Sequence, residues 1–389
     1  MERNYILFDT PERDLLYPFT HTRPVAACRV GILTIQEKWE HWLGKRVSHF
    51  TMPYLQEKYP LKRVADEVIS VLINGHVLPT EALVQAIAAL NPGEELYKDD
   101  RLLVKVLRGG DFHVPSVQER KNYKEDICAI YKPWEIALLN DRAIREDFNL
   151  LTRGRTSAPI PVSNQIIGAE NIFLEEGARV EYCTINASTG PVYIGKDALV
   201  MEGCLIRGSL AIGERAVLKM GTKVYGATTI GPFCTGGGEI KNTVLFGYSN
   251  KAHDGYLGDA VIGEWCNLGA NTTCSNLKNN VSEVTVWMEA RQEAWGVGYK
   301  CGVLMGDYSR CGINTMLNTG TVIGVSCNVF GGDFPSKFLP SFTWGKNMQY
   351  RLEDALKDAG AWMRLKDKEM EETDKDILRE VFELIANRV

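Results

Sequence analysis

The chain is poor in histidine, with six in 389 residues, and its ten cysteines include no pair at C-x-x-C spacing. Scattered cysteines exclude a zinc ribbon and argue for reduced core thiols rather than a disulfide framework. No apolar run is long enough to span a bilayer. The opening MERNYILFDTPERD lacks the basic-then-apolar profile of a secretory signal. The expectation is therefore a cytoplasmic protein without a membrane partner. A net charge of −5 disfavours nucleic acid as a partner as well. What is present is ordinary for a globular protein: 45% hydrophobic and 24% charged residues, enough to bury a core. The length favours two or three domains.

The character of the chain changes near residue 150. Before it, strand-like runs (Tyr5–Phe8, Glu67–Ile73) alternate with helix-like ones (Pro79–Leu90, Pro133–Arg142), which predicts an α/β domain over 1–150. Residues 151–170 carry little periodicity and read as a linker. A period of six follows. Ile194, Val200, Ile206, Ile212, Leu218, Val224 and Ile230 are all aliphatic, a run expected by chance on the order of once in ten thousand at a fixed phase. The spacing returns at Tyr256, Ile262, Leu268 and Cys274, and again at Met305, Cys311, Leu317, Ile323 and Val329. Six is the period of a hexapeptide β-helix, in which three units close one triangular coil with the aliphatic residue pointing inward. The prism is expected over 171–340. The three runs are out of phase, which predicts two insertions leaving the prism, within 232–255 and 275–304. The phase also places Tyr256 inward. Apolar spacings of three and four after residue 341 predict helices over 341–389 that cap the open end of the prism.

One segment is dense in groups that hold charge or move protons. It runs EIKNTVLFGYSNKAHDGYLGDAVIGEWCNLGANTTCSN, from Glu239 to Asn276. It resembles the acetyltransferase half of the bifunctional UDP-N-acetylglucosamine pyrophosphorylase/glucosamine-1-phosphate N-acetyltransferase family. The shared pattern is Glu239 and Lys241; a lysine just before His253; then Tyr256, Gly258, Asp259, Ile262 and Gly263; then Asn267, Gly269, Ala270 and Thr272; then Asn276. The lysine, Lys251, stands two places before the histidine, where many members have it three before.

The resemblance implies a left-handed β-helix, a homotrimer, and acetyl transfer from acetyl-CoA to an amino-sugar phosphate in nucleotide-sugar biosynthesis. It assigns His253 as general base, a role that suits an imidazole at neutral pH, and Glu239 as a catalytic or orienting carboxylate. Lys223, Lys241, Tyr256 and Asn267 would bind the sugar phosphate. Ala270 and Asn276 would line the coenzyme A channel. Lys223 stands where the family usually has arginine, and Leu277-Lys278 where it usually has Tyr-Asp.

Residues 5–30 are faintly similar to the start of sugar-1-phosphate nucleotidyltransferases, a Rossmann-related fold. The Gly-rich phosphate loop is replaced by Thr10-Pro11-Glu12. In VLINGHVLPTEALVQAI, His76 stands where the family has an aspartate that binds Mg²⁺. The expectation is a reduced domain of low activity, with Mg²⁺ required only if it is active. Two alternatives remain at this stage: a sugar-1-phosphate nucleotidyltransferase using UTP or dTTP with the β-helix for oligomerisation, and a non-catalytic nucleotide-sugar binding protein.

Overall fold

The computed structural model describes residues 2–110 and 119–386. The chain divides into two units: the described residues of Met1–Leu16, Thr22–Cys28 and Leu33–Tyr131 in one, and Tyr17–His21, Arg29–Ile32 and Lys132–Val389 in the other.

The first unit is α/β. Its sheet runs in the order β2-β1-β3-β5-β4-β6, formed by β1 (Arg3–Phe8), β2 (Ser48–Phe50), β3 (Ile69–Asn74), β4 (Glu94–Lys98), β5 (Arg101–Arg108) and β6 (Glu119–Asn122). Every residue of β3 is buried, as its central place in a sheet covered on both sides requires. Helix α1 (Ile35–Leu43) starts at a capping box in which Thr34 and Glu37 satisfy each other's backbone N–H, and stops at Gly44 in the left-handed region. Helix α2 (Glu81–Ala88) is capped by Thr80.

The second unit begins with helices α3 (Glu135–Leu138) and α4 (Asn140–Thr152) and continues as a left-handed parallel β-helix. One face of the prism carries six strands, Gln165–Ile167, Thr184–Asn186, Leu205–Arg207, Lys223–Tyr225, Glu239–Lys241 and Tyr256–Gly258. Its first strand lies within the stretch read as linker. The second face carries nine strands, from Ile172–Leu174 to Phe338–Leu339, and the third carries ten, from Arg179–Val180 to Met348–Gln349. On the second face Ile194, Ile212, Ile230, Leu245, Ile262, Met305, Ile323 and Leu339 stand in register and are buried. This is the aliphatic stack that the period of six predicts. All ten cysteines are buried and free, and Cys204, Cys234, Cys266, Cys274, Cys311 and Cys327 belong to the prism core.

Three expectations are corrected. Residues 232–255 do not leave the prism. From Ile230 to Leu245 a full coil takes 15 residues, and from Leu245 to Ile262 it takes 17, where the coil from Ile212 to Ile230 takes 18. The phase is broken by shortened corners. Gly236-Gly237-Gly238 makes the tightest of them: a Cβ on Gly237 would stand 2.4 Å from the carbonyl oxygen of Ala252, a distance only glycine tolerates. As a second correction, Leu257 rather than Tyr256 points inward. Leu257 is 1% exposed, while Tyr256 is only half-buried. The 275–304 stretch does leave the prism, as an antiparallel hairpin of Thr285–Met288 and Glu293–Gly296.

The third correction concerns α5 (Leu352–Arg364) and α6 (Glu372–Ala386); residues 387–389 of the predicted tail lie outside the described residues. Helix α5 lies along the flank instead of closing the end. Trp362 sits over the Arg310 guanidinium at 5.6 Å, and just beyond α5 the Lys366 ammonium donates to the Phe233 carbonyl. The end of the third face is finished by Met348–Gln349, which pairs antiparallel with Thr343–Trp344.

The register correction can be checked by stability. Leu257→Ala is expected to cost roughly 2–5 kcal/mol in unfolding of the prism, as for a buried leucine, and Tyr256→Ala less than about 1 kcal/mol. Denaturant midpoints of the two variants read the difference; equal losses would restore Tyr256 to the core.

Candidate functional site

The three faces of the prism differ in what covers them. On the second, strands such as Leu210–Ile212 and Thr228–Ile230 are buried on both sides. Thr229 donates to the Gly31 carbonyl at 3.0 Å, Arg29 Nε donates to the Phe246 carbonyl at 2.9 Å, and Phe19 packs on Phe246. The third face is flanked by α5. The first alternates: its inward residues are buried and its outward ones are not, as in Lys223–Tyr225 and Glu239–Lys241.

Parallel register builds the outward surface of this face in rows. Lys223, Glu239 and Tyr256 are direct neighbours in one row, and Tyr225, Lys241 and Gly258 in the next. Strand neighbours in a sheet are about 4.8 Å apart, so four predicted site residues, two of them lysines, share a small patch. The Tyr225 hydroxyl donates to Glu239 Oε1 at 2.6 Å, and that carboxylate pushes the phenol up from its ordinary pKa. The Lys241 ammonium lies over the Tyr225 ring at 5.4 Å. A groove borders the row, lined by Gly221, Lys223, Gly238, Glu239, Asp254, Gly255 and Tyr256.

His253 is exposed on the corner that enters this face, between Asn250–Lys251 on the third face and Tyr256–Gly258 on the first. Its ring makes no hydrogen bond to another described residue. Lys251, in contrast, points into the prism and is 1% exposed. Its ammonium donates to the carbonyl oxygens of Gly237 and Asp254, each at 3.2 Å, and to that of His253. Burial pushes its pKa down to about 8, with the Asp254 carboxylate opposing the shift.

The remaining predicted residues are spread around the same coils. The Ala270 corner stacks on the His253 corner: a Cβ on Gly255 would strike the Thr272 carbonyl at 2.2 Å. Asn267 lies on the third face, in register between Asn250 and Arg310, away from the Lys223 row. Asn276 follows the strand Thr273–Cys274 and donates to the Asp259 carboxylate, which also accepts from Asn242 at 3.1 Å. Sequence reasoning missed Tyr225 and the inward placement of Lys251. Tyr225 is two residues beyond Lys223 and so shares its outward face, a signal that was available. The turn of Lys251 inward depends on the shortened coil and was not.

In the first unit, Asp9 closes the end of β1. It accepts from Val25 N at 2.9 Å, Arg13 Nε at 3.2 Å and Thr51 Oγ1 at 2.5 Å. His76 is fully buried after β3. Its Nδ1 donates to the Ile130 carbonyl at 2.7 Å, so Nε2 of the neutral ring accepts from Thr10 Oγ1 at 3.2 Å. Both nitrogens are thus used, and the ring stacks on Tyr131. Among the described residues no group of three or more His, Cys, Asp or Glu is placed to hold a metal ion. His76 itself offers no oxygen to Mg²⁺, which wants oxygen ligands, and both its nitrogens are already bonded.

Comparison with known proteins supports both halves of the resemblance. Residues 5–156 match the family model for sugar nucleotidyl transferase. The chain is 28% identical over 227 residues to the bifunctional sugar-1-phosphate nucleotidylyltransferase/acetyltransferase of Sulfurisphaera tokodaii, covering 57% of this chain and 48% of that one. It is 27% identical over 220 residues to the bifunctional protein GlmU of Heliobacterium modesticaldum, covering 52% and 46%. The chain thus spans about half the length of these curated relatives. Among solved structures, the polySia specific acetyltransferase NeuO overlaps 53% of this chain and 92% of its own, at 9% identity and a TM-score of 0.24.

Burial also holds His49 below the ordinary imidazole value of 6.5, at about 4, and lowers His76. The unfolded chain takes up these protons near 6.5 and the folded chain only at lower pH. Stability is therefore full above pH 6.5 and is lost as pH falls from there toward 4. At pH 5 the His49 contribution is a loss of roughly 2 kcal/mol. Thermal unfolding at pH 7 and pH 5 reads this, and His49→Gln is expected to shrink the difference.

Proposed function

We propose that the prism transfers an acetyl group from acetyl-CoA to the amino group of a sugar phosphate, in nucleotide-sugar biosynthesis. The observation that carries the reading is the row Lys223–Glu239–Tyr256 beside the His253 corner, on the face whose outward polar side chains are exposed or half-buried. Lys223 and Lys241 offer two point charges to a phosphate. His253 accepts the proton that the amine sheds as its nitrogen bonds to the thioester carbon. The carbon–sulfur bond then breaks, the electron pair leaves with sulfur, and the imidazolium returns its proton to the thiolate. Glu239, held by Tyr225, orients the amine. Asn267 and Asn276 lie off the Lys223 row, so their roles toward sugar and coenzyme A require a neighbouring copy, and a homotrimer is the assembly we propose.

Incubation with glucosamine-1-phosphate and acetyl-CoA should release free thiol. His253→Ala is expected to lower kcat by about 10²–10⁴-fold with the KM for acetyl-CoA nearly unchanged. Lys241→Ala is expected to raise the KM for the sugar phosphate instead, because it removes binding present throughout the reaction. Near-full thiol release by His253→Ala would remove it as the base. Light scattering at micromolar concentration should give three times the 43.5 kDa chain mass; a monomer would sink the shared site.

A second reading is favoured by the family-model match over residues 5–156: transfer of a nucleotide by the first unit. Its test is Mg²⁺-dependent pyrophosphate release from UTP or dTTP with a sugar-1-phosphate. The buried, fully bonded His76 leads us to expect little or none.

A further inference from the structure

A lysine inside a prism of aliphatic side chains needs a reason, since its ammonium must be desolvated. Lys251 occupies the inward position between Gly236 and Leu268 on the third face, where neighbouring coils place Val200 and Leu218. An ammonium has three donors and no acceptor. Here all three find carbonyl oxygens, those of Gly237, His253 and Asp254. No backbone N–H among the described residues reaches any of these three oxygens. The shortened corner from Gly236 to Ile240 and the six-residue corner from Lys251 to Leu257 stacked on it therefore depend on one side chain. The corner of Gly236-Gly237-Gly238 presses against the corner of Ala252 and His253 too closely for a Cβ, and the carbonyls turned inward there are paired only through Lys251.

We propose that Lys251 is a positioning residue for His253: from inside the prism it binds the carbonyl of His253 itself, that of Asp254 next to it and that of Gly237 on the shortened corner one coil away, and so fixes the corner that carries the imidazole beside the Lys223–Glu239–Tyr256 row. The catalytic part of this rests on the reading of His253 as base; the part concerning the corner does not.

The test uses the full chain and Lys251→Met, which keeps an unbranched side chain one atom shorter and removes the donors. Hydrogen exchange by mass spectrometry reads the corner without reference to activity. Peptides spanning 250–257 are expected to exchange faster in Lys251→Met while those of the first unit are unchanged. In the acetyl-transfer assay kcat is expected to fall about 10- to 100-fold, as for a displaced catalytic group, with both KM values within about twofold. On a His253→Ala background Lys251→Met should cost nothing further, because the two act through one step. Lys251→Gln, whose amide can donate twice, should recover part of the exchange protection and part of kcat. It also carries the same comparison if the methionine variant does not fold. Unchanged exchange at 250–257 in a folded Lys251→Met would overturn the hold on the corner. Equal losses of kcat with and without His253 would overturn its action through the histidine. A fully active His253→Ala would remove the base while leaving the exchange result to decide the corner.

Discussion

Everything in the second unit depends on parallel strands hydrogen-bonding in register along one axis. A helix lets side chains drift around its surface, but here each residue of a strand stands directly over its counterpart one coil away. Columns are inherited: an aliphatic at one inward position is stacked on the next, and a charged residue facing out is placed beside whatever the next coil puts there. Ile194 through Leu339 is one such column, and Lys223, Glu239 and Tyr256 form another. The same rule that fills the core thus aligns a cation, a carboxylate and a phenol without any long-range fold signal.

The rule also explains where the chain departs from regularity. Corners of the prism hold residues with left-handed backbone, among them Asp197, Arg215, Phe233, Tyr248 and Trp265 at successive coils. Non-glycine residues pay for that conformation, and in this column Phe233, Tyr248 and Trp265 recover some of it by stacking, with ring centroids 4.8 and 4.1 Å apart. Where the corners are instead shortened, at Gly236–Gly238, the backbone crowds and carbonyls turn inward. Regular coils need no buried cation; the shortened ones have Lys251.

Much of this was legible in the sequence. The period of six from Ile194 to Ile230 is the coil itself, and every member is buried. The grouping of Lys223, Glu239, Lys241 and Tyr256 followed from motif positions, and the register places them together. Two of the misreadings share one cause. A phase break can come from added residues or from missing ones, and the distance from Ile230 to Tyr256 does not say which. Taking it as an insertion sent 232–255 out of the prism, and counting six back from Ile262 put Tyr256 inward, where the corner from Leu257 to Ile262 is one residue short. The glycines at 236–238 were the available hint, since three in a row suit a tight corner better than an excursion. The helices after residue 350 have amphipathic spacing that fits the flank of a prism as well as its end, and only contacts such as Trp362 with Arg310 distinguish the two.

The small inward positions filled by cysteine have another meaning. Burial lifts the thiols of Cys234, Cys311 and Cys327 up to about 12, so the thiolate that reacts with sulfur reagents is scarce as well as shielded. These residues mark successive levels of the prism, from the shortened coils at Cys234 to the last turns at Cys327. The protein therefore carries a built-in set of depth gauges: the rate at which each thiol becomes reactive is the rate at which its own level opens, and comparing the levels maps which coils of the prism loosen first.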